Sequence, residues 1–358
     1  MRTKLRHPGG GAAVRAALVI GVITLVLVAC SSDAPRATAH LDPPTSASPS
    51  SQPPPVLRIG LDVTARGWVV LPEWSGAWVA GGRTLSEIED SGRVRITGRG
   101  PWDYDYVQMA RYGEGSIFVA SGTTLWTIDA SSGGVIDRLD LGHLGYIDAV
   151  LHTPSGTWVA ASGNGGGVLA RLDEGTGEAL LAVRIGDGQH ELVGSAGYLV
   201  VSSFGATASG VVRVDHHTGA TATVSENTGS IASIGSRVWI AEGDRIRCVD
   251  VVDLAPCGEI EITRAESLAS DGPRLWVLSS TGSTSESFYL PDEEQPAAVT
   301  LVDGVNGRIV AGPLDLPSIT PATISAFGGH AWIGFHDAGR VIRIDCDEGR
   351  CSVPGWSG

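Results

Sequence analysis

The sequence predicts an all-β protein, a seven-bladed β-propeller of four-stranded antiparallel blades whose ring is closed by the most N-terminal strand. Three observations carry this. Seven large side chains, Trp78, Phe118, Trp158, Leu199, Trp239, Trp276 and Trp332, recur at intervals of 40, 40, 41, 40, 37 and 56 residues. A period near 40 with strand-length apolar runs is the signature of propeller blades. Each anchor opens the same series of short strand, Gly/Ser turn, strand ending in an acidic residue, Gly turn and further strand. Composition agrees, because 49 Gly and only five Phe suit a turn-rich all-β chain.

The elements follow in order. Residues 56–63 align with the outermost strands of the later repeats. No repeat precedes them, so they are expected to complete the last blade beside its C-terminal end. Between the second and third strands of a blade the turn repeats as Asp129 to Gly133, Asp173 to Gly177, Asp215 to Gly219 and Asp303 to Gly307. The Asp side chain can accept backbone N–H bonds inside such a turn, while Gly supplies a positive φ. These Asp residues, and the adjacent His216 and His217, are therefore read as structural. The long sixth interval holds one insertion, about residues 279–296, with Phe288 and Tyr289 beside Asp292, Glu293 and Glu294.

The N-terminus divides the chain differently. Arg2, Lys4, Arg6 and Arg15 precede an apolar run over residues 16–29 that is short for a membrane span. The run ends in Leu27-Val28-Ala29-Cys30, which resembles the lipobox of bacterial lipoproteins. That resemblance implies a signal peptide over residues 1–29, lipidation (palmitate) on Cys30, and attachment to the extracytoplasmic face of the cell membrane. Residues 30–55 read as a disordered Ser/Pro-rich tether, and residues 56–358 as the propeller.

Charge and cysteine content narrow the function classes. Loss of the signal leaves 21 Lys+Arg, all Arg, against 39 Asp+Glu. Such a surface repels nucleic acid, and the absence of lysine excludes Schiff-base chemistry. The four remaining cysteines, Cys248, Cys257, Cys346 and Cys351, allow three pairings. Cys248–Cys257 and Cys346–Cys351 are expected, because each pair straddles a hairpin between a third and an outer strand, within disulfide reach. A zinc site is disfavoured by the spacing.

The repeated Trp-Val-Ala (Trp78 to Ala80, Trp158 to Ala160), the Arg343-Ile344-Asp345 triplet and the Thr-Gly turns resemble bacterial propellers of the YncE-like and quinoprotein-like (PQQ-like, WD40/YVTN-like) group. They are also similar to the repeats of streptogramin lyases. Since the shared residues build hairpins, the resemblance is specific for fold. It implies for the lyases His and Glu groups with magnesium on the central face, for which His190 and Glu191 are the nearest candidates. The paired-His pattern of that family, and the calcium carboxylates of quinoproteins, are not evident.

One face collects the loops between blades and those between second and third strands. The ligand-face candidates there are Trp102, Asp103, Tyr104, Tyr106, Tyr146, His190, Glu191, Glu226, Arg264 and His336, with Asp148 and Glu266 nearby. Of the tryptophans outside the anchors, Trp102 is the best candidate for stacking on a sugar. No nucleophile elbow or nucleotide loop is present. The expected function is a binding or scaffold module, monomeric and without cofactor, for a protein or small ligand. The alternative is a metal-dependent lyase or quinoprotein-like enzyme.

Overall fold

The computed structural model describes residues 56–346, apart from 66–68, 74, 103–106, 112–114, 164, 206–208, 281–296, 317–320 and 336–338. Among these residues every regular element is a β-strand. After β1 (Leu57–Thr64), one four-stranded sheet is made by β2 (Val69–Glu73), β3 (Gly76–Gly81), β4 (Thr84–Glu89) and β5 (Val94–Arg99). The next contains β6 (Gln108–Arg111), β7 (Ser116–Ser121), β8 (Thr124–Asp129) and β9 (Val135–Asp140). A third is built from β10 (Tyr146–Thr153), β11 (Gly156–Gly163), β12 (Gly166–Leu172) and β13 (Ala179–Ile185). A fourth follows from β14 (Gln189–Ser195), β15 (Tyr198–Phe204), β16 (Gly210–Asp215) and β17 (Thr221–Ser225).

A seven-stranded sheet comes next: β18 (Ile231–Ile234), β19 (Arg237–Ala241), β20 (Gly243–Asp250), β21 (Pro256–Asp271), β22 (Arg274–Ser280), β23 (Ala297–Asp303) and β24 (Arg308–Asp315). The 16-residue β21 serves twice, its first part pairing with β20 and its last part with β22. The last sheet orders β25 (Pro321–Phe327), β26 (His330–Phe335), β27 (Arg340–Cys346) and then β1. The innermost strands touch in the order β2, β6, β10, β14, β18, β21, β25, and β25 touches β2. Sheets arranged side by side around their inner strands make the fold a β-propeller.

The anchor side chains explain this arrangement. All seven lie on the second strand of their four-strand unit and are at most 3% exposed. That strand is apolar almost throughout, as in the fully buried Gly76–Gly81, because both of its faces meet a neighbouring sheet. Outer strands differ; Val135–Asp140 is exposed at nearly every residue. Anchors also reach across units, since the Trp239 indole N–H donates to the Gly304 carbonyl at 3.0 Å.

The Asp turns form as the sequence predicts. Asp129 accepts from the N–H groups of Ser131 (2.9 Å) and Ser132 (2.8 Å), and Asp303 from Val305 (2.9 Å) and Asn306 (3.1 Å). The Ser131 hydroxyl leads the hydrogen bonds that hold the Asp129 carboxyl down to about 2. A fifth turn of this kind, at Asp250, ends on Leu254 at φ 63°, where the others have Gly. The Leu254 side chain packs against the buried cluster containing Val238 and Val251, which offsets that backbone cost.

The Cys248–Cys257 disulfide is present, with Cα atoms 5.0 Å apart across the β20–β21 hairpin. Cys346 is also disulfide-bonded; its expected partner Cys351 lies outside the described residues. The insertion starts later than the spacing implied. Ser279 and Ser280 belong to β22 and pair with Ala298 and Ala297, so only residues 281–296, outside the described set, remain to it.

One hairpin is poorly matched to its turn. Ser195 pairs with Tyr198 across a two-residue loop in which Ala196 (φ 47°) and Gly197 (φ 85°) both have positive φ. Such loops favour Asn-Gly, and alanine in this region costs about 1–2 kcal/mol. Ala196→Asn is therefore expected to stabilise the protein by about 0.5–1 kcal/mol, read as a raised denaturation midpoint in urea with unchanged m-value.

Candidate functional site

The inner strands β10 and β14 begin at the same face, and their first residues carry its titratable groups. Asp148 is the extra residue of a bulge between Ile147 and Ala149. A bulge re-aims its side chain, and here the carboxyl turns back to the Ser162 hydroxyl of β11. On β14, His190 pairs with Ser203, whose hydroxyl meets His190 Nδ1 at 3.1 Å. His190 Nε2 then lies 3.9 Å from Asp148 Oδ2 across the gap between two sheets. Asp148 is 6% and His190 3% exposed, and neither of these facing atoms has a hydrogen-bond partner among the described residues. Gly167 lets the imidazole lie there, since a β-carbon at that position would stand 2.4 Å from Nε2.

Burial governs the charges. It pushes the Asp148 carboxyl up to about 7, against the opposing Ser162 hydrogen bond, and the His190 imidazole down to about 4, against the field of Asp187. Both groups thus favour their neutral forms. The set Ser203, His190, Asp148 has the composition of a nucleophilic triad, but Ser203 is 2% exposed and its hydroxyl is turned to His190 inside the sheet.

Glu191 faces the other way. Successive strand residues point to opposite sides of a sheet, and the Glu191 carboxylate accepts from the Ile231 N–H of β18 at 2.9 Å. Burial raises it to about 7, offset by that bond and by Ser230. His190 and Glu191 therefore do not converge on one ligand, which removes the geometric basis for using them together in a lyase. Among the described residues no group of three or more His, Cys, Asp or Glu could hold a metal ion.

Other expected face residues fall into three groups. Trp102 is a correction: it is 1% exposed, its indole N–H donates to the Gly82 carbonyl at 2.7 Å, and its ring meets Trp126 edge-on at 6.1 Å. It belongs to the core cluster of Trp78 and Ile117, so it cannot stack on a sugar. Trp126, at 6% exposure, is buried with it. Tyr146 (56% exposed) and Glu226 do reach solvent, and Arg264 is half-buried at φ 53° with its N–H on Asp244. Asp103, Tyr104, Tyr106 and His336 lie outside the described residues, as do Cys30, Trp68 and Trp74.

Sequence reading missed the serines. Four residues beyond the anchors Trp158, Leu199 and Trp276 stand Ser162, Ser203 and Ser280, which bond to Asp148, His190 and Glu266. The same offset from Trp78, Phe118 and Trp239 gives Gly82, Gly122 and Gly243. In three units, then, a serine at this offset meets a polar side chain of the inner strand. Glu266 sits, like Asp148, in a bulge, and burial raises its carboxyl against Arg264 and Ser280.

A carboxyl whose folded pKa exceeds its unfolded value binds protons more tightly when folded. Its stabilisation is full below about pH 4 and is lost as pH rises through the folded pKa, about 7 for Asp148 and Glu191. His190, depressed to about 4, acts oppositely between about pH 4 and 6.5. Asp148→Asn keeps a partner for Ser162 and removes one titration. It is expected to gain on the order of 2 kcal/mol relative to wild type between pH 5 and pH 8, measured by chemical denaturation at each pH.

No protein-family model and no curated protein sequence matches the chain. Solved structures do. BamB from Moraxella catarrhalis is 14% identical, covering 81% of this chain and 100% of its own, with a TM-score of 0.51. Virginiamycin B lyase from Staphylococcus aureus is 14% identical over 81% of this chain and 98% of its own, with a TM-score of 0.60. A chain of the mitotic checkpoint complex is 9% identical over 85% and 97%, with a TM-score of 0.59. At such identities the likeness establishes the β-propeller fold and nothing about chemistry.

Proposed function

We propose that the protein is a lipid-anchored, extracytoplasmic, seven-bladed β-propeller that binds a protein or small ligand on the face where β10 and β14 begin. The blade number is supported by five four-stranded sheets and one seven-stranded sheet with a shared β21, together with the cyclic contacts of seven inner strands. Membrane attachment is supported by Leu27-Val28-Ala29-Cys30 and the Ser/Pro-rich segment after it. Among the similar folds, one belongs to the mitotic checkpoint complex and one is a lyase, so the fold admits binding and catalysis alike.

One observation favours binding: the polar groups of this face diverge. His190 turns to the β10 unit and Glu191 to the β18 unit, each fixed by hydrogen bonds to the scaffold. Polar groups committed to the scaffold leave the loops of this face as the binding surface, and loops on a rigid scaffold suit recognition.

The full chain, purified from membranes, is to be denatured thermally with divalent metals, a quinone cofactor, sugars and cell-wall fragments. A ligand at a hundredfold excess over its Kd adds about 2.7 kcal/mol of stability. The expected result is a shift from one ligand class, abolished by Tyr146→Ala or Glu226→Ala. Turnover of any of these compounds by the wild-type protein would replace the binding reading with an enzymatic one. Cys30→Ser is expected to move the protein from the membrane to the soluble fraction.

A further inference from the structure

Away from that face, a cleft of about 160 Å³ opens between the sheet of β6–β9 and that of β10–β13. Its apolar floor is Phe118, Leu125, Leu139 and Leu172, and two carboxylates, Asp137 and Glu174, line it with them. Cross-strand register explains the combination. Leu125 pairs with Leu139 and Thr127 with Asp137, so these four share one face. Arg138 pairs with Trp126 and is turned to the opposite face, away from the cleft. Across the gap, Arg171 is likewise turned away from Leu172, with its guanidinium 5.9 Å from the Trp158 ring. Both sheets thus present carboxylates to the cleft and direct these arginines elsewhere, and among the described residues no arginine lines it.

The Glu174 carboxylate is held in position. It accepts from the Thr157 hydroxyl at 2.5 Å and lies 3.5 Å from His152, whose ring meets Phe118 edge-on at 6.2 Å. The rim is apolar on the other side. Val135 and Ile136 are 50% and 58% exposed, and Ile136 is the extra residue where the β8–β9 register shifts. β9 is also the terminal strand of its sheet. The cavity is well below the roughly 300–1,000 Å³ of drug-sized ligand sites. Its size suits one side chain.

We propose that this cleft receives an arginine side chain of a partner polypeptide, its aliphatic stem on Phe118, Leu125 and Leu139 and its guanidinium between Asp137 and Glu174. Arginine suits the site because it is planar, always charged and able to contact two carboxylates through separate N–H groups. The flanking residues of the partner rest on Val135 and Ile136 along the open edge of β9. This site is on the outer wall, so its failure would leave the proposed ligand face untouched.

The test is a methyl-detected NMR titration of the full chain with acetyl-Gly-Gly-Arg-Gly-Gly-amide, and with the same peptide carrying citrulline, the uncharged isostere. The expected result is a saturable shift confined to the methyls of Leu125, Ile136, Leu139 and Leu172. Binding of the citrulline peptide is expected to be weaker by about tenfold, the equivalent of 1.4 kcal/mol. Asp137→Asn and Glu174→Gln should each cost a similar factor, and added salt should weaken binding. Equal binding of the two peptides, or no saturable shift, would overturn the proposal. Self-association of the chain that Asp137→Asn abolishes would also overturn it, by assigning the cleft to a second copy.

Discussion

The structure depends on one repeated contact, a large side chain on the second strand of each unit packed between adjacent sheets. A propeller sheet has two faces and no third layer to cover either, so each must find its cover in a neighbour. Trp78, Trp158, Trp239, Trp276 and Trp332 supply most of that cover, each at 2% exposure or less. Burying a side chain of this size contributes on the order of 2–3 kcal/mol, and a misplaced one leaves a gap in a close-packed interior. The rest follows from that demand. The strand carrying the anchor must be apolar on both sides, the outer strand is released to be polar, and the inner strands are brought edge to edge.

Inner strands of adjacent units do not form ladders with each other, so side chains join them. Ser325 donates to the Val70 carbonyl, Ser195 to that of Gly235, and Ser233 to that of Gly194. In the same role, Glu191 accepts from Ile231, and Ser230 accepts from Leu268. Short hydroxyls suit a crowded axis because they satisfy backbone groups without adding bulk. The Asp148–His190 gap departs from this pattern. There a carboxyl and an imidazole meet where the other junctions named join one side chain to one backbone group, and burial shifts both toward their neutral forms. A shift toward the neutral forms lowers the cost of burying an acid and a base that do not form a close ion pair.

Much of the fold was legible because a propeller repeats its local rules. The 40-residue spacing located the anchors, the Asp-to-Gly turns located the hairpins, and the placement of Cys248 and Cys257 across one hairpin gave their disulfide. The alignment of residues 56–63 with outer strands anticipated the β1–β27 pairing. The site was legible only in part. Trp102 falls in a connection between strands, where sequence alone places it at the surface. The segment instead tucks its ring between sheets, where the indole finds the Gly82 carbonyl. His190 and Glu191 are adjacent in sequence and so suggest a pair, but strand alternation separates adjacent side chains.

The serines four residues beyond three of the anchors show what a sequence can and cannot disclose about such a site. Where that position is Gly, as at Gly82, Gly122 and Gly243, the position itself offers no side chain to the inner strand. Where it is Ser, the neighbouring inner strand carries Asp148, His190 or Glu266. These three pairings have a physical cause. A buried polar group on an inner strand needs a partner, and the second strand is the nearest source. Two of these three groups also sit in bulges, Asp148 between Ile147 and Ala149 and Glu266 between Ala265 and Ser267. A bulge adds one residue to the strand, which no periodic pattern announces. Its effect is to redirect a carboxyl that strict alternation would have placed elsewhere. The regular part of the chain therefore predicts the scaffold, and the departures from regularity place the Asp148 and Glu266 carboxyls within it.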